Sequence, residues 1–181
     1  MNRVTLELPY EIYNALVMHL LPVDSALERA GFILVKGIQS EGNVAFQFVE
    51  WIAIDDKELV YSSEYGLELT DRTKARIIKR AYDLDASLVE CHSHPFQRVA
   101  QFSETDMDGL LEFVPHVWWR LKGKPYIAFV FARAGFDALT WISDPKTPEM
   151  FNSLIVGRKL YQPTGFTFNQ INIGGRNGYS L

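Results

Sequence analysis

Two histidines one residue apart open a short stretch with the makings of a metal site. His92 and His94 flank Ser93 in residues 90–106, ECHSHPFQRVAQFSETD, and are two of the chain's four histidines. Side chains at i and i+2 of a strand project on one face, roughly 6–7 Å apart, so two imidazoles there can share one ion at an open strand end. Pro95 brings no amide hydrogen to a continuing ladder and supports such an end. Past a polar loop come Ser103, Glu104, Thr105 and Asp106, with an apolar helical pattern behind them. A carboxylate from that helix could provide a third ligand. Two His nitrogens, an Asp oxygen and a water make a zinc shell of the catalytic kind, with the fourth position open. Ser103-x-x-Asp106 also reads as a helix-capping pair, with the serine accepting from a first-turn amide and an acid in the first turn. The two readings are compatible, because a cap fixes the helix end that presents Asp106.

Water activated at such a site needs a base to take its proton and later hand it to a leaving amine. The chain has many carboxylates, and spacing alone does not choose among them. Glu28 stands out because it precedes Gly31 and a buried-strand pattern in Glu-Arg-Ala-Gly-Phe-Ile-Leu-Val-Lys-Gly. Glu90 shares the histidine face and is the alternative base, against the plainer reading of a sheet-edge carboxylate. Cys91 adjoins His92 but points to the opposite face of a strand, where a buried free cysteine is the common case and a nucleophile the rare one. Glu104 and Asp108 share a different helix face from Ser103 and Asp106 and read as solvent-facing. His116, beyond Pro115, reads as structural. Trp118, Trp119 and Trp141 could line a groove, although core or interface packing is commoner. Gly174-Gly175 lies too far from the terminus to mimic the diglycine end of a protein modifier.

The elements that must hold these residues follow from periodicity. Val4, Leu6 and Leu8 alternate as a short strand, and Ile12, Leu16 and Leu20 recur at helical spacing after Pro9, until Pro22 ends the helix. His19 sits in that segment as a helix-surface or core-edge residue. Residues 24–30 link it to a continuous apolar run at 31–35, typical of a buried strand, and residues 37–43 supply turn residues. Residues 44–54 form the longest strand candidate, with Phe46, Phe48, Ile52 and Ile54 on one face. A loop and another strand occupy 58–69. Thr70 and Asp71 cap a helix running to about Tyr82, with Ala75, Ile78 and Tyr82 inward and the basic residues 72–80 on a solvated face. Residues 87–92 are the histidine strand. A helix over 103–114 should kink or end at Pro115. Residues 126–132 and 136–142 read as an antiparallel pair joined by Arg133-Ala134-Gly135. Residues 151–156 fit a strand or a helix, 165–173 a strand, and the end, GGRNGYSL, looks loose. Helices interleaved with a mostly antiparallel sheet make the expected class α+β, or mixed α/β.

Composition excludes other functions. The 181 residues suit one domain with a core of ordinary size, and 48% hydrophobic with 22% charged residues is normal for a globular chain. The balance of 18 basic and 22 acidic residues, a net charge of −4, disfavours a dedicated nucleic-acid surface. A single cysteine rules out an intramolecular disulfide and a cysteine-rich zinc module. Glu7 and Glu11 interrupt the start too early for a secretory signal, and no apolar run approaches the roughly 20 residues that cross a bilayer. A reducing cytoplasmic setting, with no membrane partner, is the expectation.

Taken in order, Glu28-x-x-Gly31 before an apolar strand, His92-Ser93-His94-Pro95 and Ser103-x-x-Asp106 resemble the JAMM (MPN+, JAB) metalloproteases, a family of deubiquitinating isopeptidases and many bacterial relatives. The resemblance covers roughly residues 6–142. It implies a JAB/MPN-like fold, a central mostly antiparallel sheet flanked by helices, over residues 1–144. Residues 145–181 are then a C-terminal extension packed on the same domain. It implies Zn2+ held by His92, His94 and Asp106, Glu28 as general base and acid toward the attacking water, and Ser103 as hydrogen-bond donor to the oxyanion at the scissile carbonyl. The implied substrate is a ubiquitin-like or sulfur-carrier-type protein cleaved after its C-terminal tail, with E1/E2-like proteins as further partners. Too few cysteines and histidines remain for the second, structural zinc of some eukaryotic relatives, which points to a compact prokaryotic-type form. Two other classes stay open: a non-catalytic MPN-type binding or scaffold module, and a metallohydrolase of small amides or cell-wall peptides.

Overall fold

The computed structural model describes residues 3–176. Alternating Val4, Leu6 and Leu8 build β1 (Arg3–Leu8), and helix α1 (Tyr10–Leu20) buries Leu16 and Leu20. Two long strands follow, β2 (Ala30–Ser40) and β3 (Asn43–Ala53). A single 3-10 turn at Asp56–Glu58 leads into a small hairpin, β4 (Leu59–Ser62) and β5 (Leu67–Leu69). Helix α2 (Asp71–Asp83), strand β6 (Ser87–Ser93) and helix α3 (Glu104–Arg120) come next, then β7 (Tyr126–Ala132) and β8 (Gly135–Trp141). The chain continues through β9 (Glu149–Met150), β10 (Ser153–Val156), β11 (Lys159–Tyr161) and helix α4 (Phe166–Arg176).

Nine strands form one sheet in the order β11-β10-β1-β3-β2-β6-β7-β8-β9, while β4 and β5 pair separately. β1 runs parallel to β10 and β3, and β6 parallel to β7; the other neighbours are antiparallel. Among the described residues the class is therefore α+β, one large, mostly antiparallel sheet with four helices. Segments after Pro145 contribute three of its strands. One sheet face packs Leu6, Phe46 and Phe129 under α1 with Leu16 and Leu20. The other packs Phe32, Leu88 and Trp141 under α2 and α3 with Ile77, Ala81, Leu110 and Val114. Each such large side chain contributes roughly 1.5–3 kcal/mol by leaving water.

The parallel pair β6 and β7 decides where chemistry can occur. Parallel neighbours need a crossover, and here it is α3. The chain leaves β6 at its carboxyl end and returns as the first turn of α3. The end of the histidine strand and the amino end of that helix are thus brought together.

Several local expectations change. β2 and β3 slip by one residue between Leu34 and Val35, leaving Val49 unpaired as a bulge. Phe46 and Phe48 consequently pack on the α1 face while Ile52 and Ile54 pack on the α2–α3 face, because one extra residue inverts the alternation. α2 buries Thr73, Ile77, Ile78 and Ala81, and Ala75 and Tyr82 are exposed. Its basic residues are solvated as expected, pairing at the surface as Arg76–Glu58, Lys79–Asp83 and Arg80–Glu50. α3 runs through Pro115 to Arg120. Leu111, whose carbonyl would have taken the missing proline bond, is exposed, so water can take that place. β2 also continues to Ser40, leaving only Glu41 and Gly42 as the turn.

Residues 165–173 hold the largest difference, a helix in place of the expected strand. Asp137, fully buried on β8, accepts the amides of Gly165 at 2.9 Å and Thr167 at 3.0 Å. Those are the free donors of a helix start, so the cap comes from a strand 28 residues earlier rather than from neighbouring sequence. Gly165 takes φ +68°, a conformation glycine adopts without strain. The expected loose end falls partly on residues 177–181, outside the described residues. Among the described residues no helix is long and apolar enough to cross a membrane.

Candidate metal centre

His92 is the penultimate residue of β6, and its side chain shares the sheet face with Leu88. His94 follows the strand end, anchored by its amide to the Phe131 carbonyl at 2.8 Å. Both imidazoles are buried, with ring centroids 5.0 Å apart. Cys91 lies in the core on the opposite face, and burial pushes its thiol well above the usual range, where it is inert as a nucleophile.

Asp106 meets the two rings from the first turn of α3. Oδ1 lies 3.4 Å from His92 Nε2 and Oδ2 lies 3.2 Å from His94 Nε2. Ser103 is the N-cap: its Oγ accepts the Asp106 amide at 3.1 Å, and its own amide donates to Asp106 Oδ2 at 2.7 Å. This reciprocal cap fixes the carboxylate toward the histidines. Burial works to raise the Asp106 carboxyl, but the facing imidazoles and the Ser103 amide outweigh it and hold the group well below the usual range. Ser103 Oγ accepts from the Asp106 amide, and a hydroxyl that accepts there still has its own proton to donate.

Glu28 enters from the segment before β2. Its carboxylate is almost fully buried, with Oε1 3.5 Å from His94 Nε2. Burial, with Asp106 adding, raises its carboxyl against the lowering effect of His94 and His92. Ser62 and Ser63, which no motif marks, and Ser93 between the histidines hold this segment. The Glu28 amide donates to the Ser63 carbonyl at 2.8 Å, and Ser62 Oγ donates to the Glu28 carbonyl at 2.7 Å, so the β4–β5 hairpin grips Glu28. Ser93 Oγ accepts the Arg29 amide at 3.0 Å, which ties the residue between the histidines to the residue after Glu28. Gly31 is required by contact: a Cβ there would lie 2.1 Å from the Trp51 ring. Little in local sequence marks these serines, because their partners lie far along the chain.

Except for Glu90, the remaining candidates stay apart from the centre. Glu104, Asp108 and His116 are exposed on α3. Trp141 is core and Trp118 half-buried, while Trp119 is exposed beside Arg120. Glu90 is not at a sheet edge; β6 lies between β2 and β7, and its carboxylate accepts from Tyr126 Oη. Two surface cavities of about 390 and 370 Å3 are lined by other residues, and the centre is reached instead at the strand end, where Asp106 stays partly exposed.

The donor set fits a divalent metal. Among the described residues His92, His94 and Asp106 alone offer ligand atoms that all lie within 4.8 Å of one another. His92 Nε2 is buried without a hydrogen-bond partner. At 3.4 Å it is too far from Asp106 for a good hydrogen bond. Tetrahedral bonds of about 2.0–2.1 Å place ligand atoms roughly 3.3–3.4 Å apart, close to the two observed N···O separations. Three carboxylates, Asp106, Glu28 and Glu90, face the two imidazoles and leave an electronegative site for a cation. No known family model and no curated protein matches the chain. The site must be read from its own chemistry.

Proposed function

We propose that the protein is a zinc-dependent peptidase or isopeptidase of the JAMM (MPN+/JAB) type. On this reading it cleaves after the C-terminal tail of a ubiquitin-like or sulfur-carrier-type protein. The observation that carries this is the convergence of His92, His94 and Asp106 with a buried, separately held glutamate, Glu28, 3.5 Å from His94 Nε2. A separate acidic group beside a three-ligand set is what hydrolysis needs and simple metal storage does not. Bound zinc would supply Lewis acidity, polarising a carbonyl and acidifying a water at neutral pH. Glu28 holds the attacking water, takes its proton and returns it to the leaving amine. Ser103 Oγ donates to the oxygen that becomes negative at the scissile carbonyl.

The β4–β5 hairpin, tied to Glu28 through Ser62 and Ser63, offers a strand edge on which an extended tail can pair by β-addition. That favours a chain end over a small amide. A reducing cytoplasm, with E1/E2-like partners, suits this substrate class and the free Cys91 thiol. The test is cleavage of a modifier fused through its C-terminal glycines to a reporter, by wild type and by Glu28→Gln. Turnover by wild type, lowered about 100-fold or more in the zinc-loaded variant, supports the reading. Binding of the modifier without turnover by either would make the protein a scaffold module. Cleavage of short peptides alone would make it a small-substrate hydrolase.

A further inference from the structure

We propose that Glu90, held by Tyr126, is a positioning residue for the metal centre: its carboxylate faces the Nδ1–H of His92 as acceptor, keeps the proton on that nitrogen and so presents Nε2 as a ligand. This rests on the metal-centre reading above. Glu90 stands two residues before His92 on β6 and therefore on the same sheet face. It pairs in register with Phe32 of β2 and Ala128 of β7, and its side chain is only 22% exposed. A carboxylate so deep in a sheet is costly unless its oxygens find donors. One does: Tyr126 Oη donates to Oε2. The other oxygen, Oε1, faces His92 Nδ1 at 4.0 Å.

The two faces of the His92 ring thereby receive different partners. Nε2 points toward Asp106 Oδ1, and Nδ1 points toward Glu90. A neutral imidazole carries one proton, so a ring that ligates through Nε2 must keep its proton on Nδ1. A carboxylate facing Nδ1 selects that tautomer, fixes the ring and makes Nε2 a better donor, as outer partners of metal-bound histidines do. The 4.0 Å separation is about 1 Å beyond a hydrogen bond, so in this structure Oε1 acts on the Nδ1 side of the ring through its charge.

His94 has no such support, since its Nδ1 is buried without a partner. The same placement separates Glu90 from the base. Glu28 faces His94 on the Nε2 side, where ligation occurs, whereas Glu90 sits behind His92 on the Nδ1 side.

The experiment is zinc affinity, by competition with a chromogenic chelator, for wild type, Glu90→Gln, Tyr126→Phe and Glu28→Gln. Thermal melts of each protein without metal, and the visible absorption of each cobalt-substituted protein, accompany it. Glu90→Gln keeps the shape and loses the anionic acceptor. It should weaken zinc binding by about 10–100-fold and shift the cobalt bands. Tyr126→Phe should act in the same direction and less strongly, and it carries the test should Glu90→Gln not fold. Glu28→Gln should bind zinc nearly as wild type does. Wild-type affinity and an unshifted cobalt spectrum in both Glu90→Gln and Tyr126→Phe would overturn the role of Glu90 while leaving the metal centre standing. No zinc binding by wild type would overturn the centre itself, and this inference with it.

Discussion

Ser103 and Asp106 hold each other in a closed pair, the serine hydroxyl accepting the aspartate amide and the aspartate Oδ2 accepting the serine amide. The same Oδ2 faces His94 Nε2 at 3.2 Å. One local motif thus starts α3, aims a carboxylate at the two imidazoles and leaves a hydroxyl proton beside them. Capping and the proposed catalytic role are compatible in these residues.

Replacing Ser103 should separate those roles. Ser103→Ala loses the cap, which costs about 0.5–2 kcal/mol of stability. It should also lower kcat by roughly 10²–10³ if the hydroxyl serves the oxyanion. Ser103→Thr restores cap and hydroxyl together. Thermal unfolding and steady-state cleavage of the modifier fusion read the two effects. An activity loss no larger than the loss of bound zinc would remove Ser103 from the chemistry.

Glu28 should set the acid side of the pH profile. Its carboxyl is raised, first by burial. The base works ionised, so activity is present above its pKa and lost as pH falls through it. Because the pKa is raised, that loss should begin at a higher pH than the value of about 4.3 for an exposed glutamate. Glu28→Gln should reduce kcat by about 10²–10⁴ with zinc content unchanged. A kcat/KM profile of Glu28→Gln that kept the wild-type acid limb and rate would show that another group is the base.

Gly31→Ala tests why a glycine follows Glu28 at this spacing. The new methyl meets the Trp51 ring, which packs edge-on against His19 with centroids 5.9 Å apart. Displacing that ring should cost about 1–3 kcal/mol and alter tryptophan fluorescence. The combined variant Gly31→Ala/Trp51→Ala should be less destabilised than the sum of the two single changes, since the clash is gone. Simple additivity in denaturant unfolding would refute the contact as the reason for the glycine.

The C-terminal helix should matter to the loop before Ser103. Thr167 Oγ accepts the buried Phe102 amide at 3.0 Å, Thr164 Oγ donates to the Ala100 carbonyl at 2.8 Å, and the Phe102 ring packs against His92. Thr167→Val leaves the Phe102 amide without an acceptor, at about 1–3 kcal/mol, and should increase proteolytic cleavage within residues 96–102. Thr167→Ser should behave as wild type. Equal stability of the serine and valine variants in denaturant unfolding would rule out this clamp.

The centre was more legible than the frame around it. His92, His94, Ser103 and Asp106 are short-range features whose strand and helix spacings already imply a shared face and a cap. Glu28 needed its glycine context, and its grip by Ser62, Ser63 and Ser93 comes from partners 34 to 64 residues away. The same limit explains α4, whose segment 165–173 reads as a strand until buried Asp137 caps it from β8. It also explains Phe46, Phe48, Ile52 and Ile54, whose common face was split by a bulge that only pairing with β2 reveals. Glu90 looked like an edge carboxylate because strand order, which buries β6 between β2 and β7, is not a local property.

The central claim is that His92, His94 and Asp106 hold a catalytic metal. Elemental analysis of protein purified without chelators, beside the His92→Ala/His94→Ala double variant, tests it most directly. About one zinc per chain in the wild type, as a single three-ligand site requires, and none in the variant is the expected result. A wild type that carries no zinc and takes up none on titration would contradict the account.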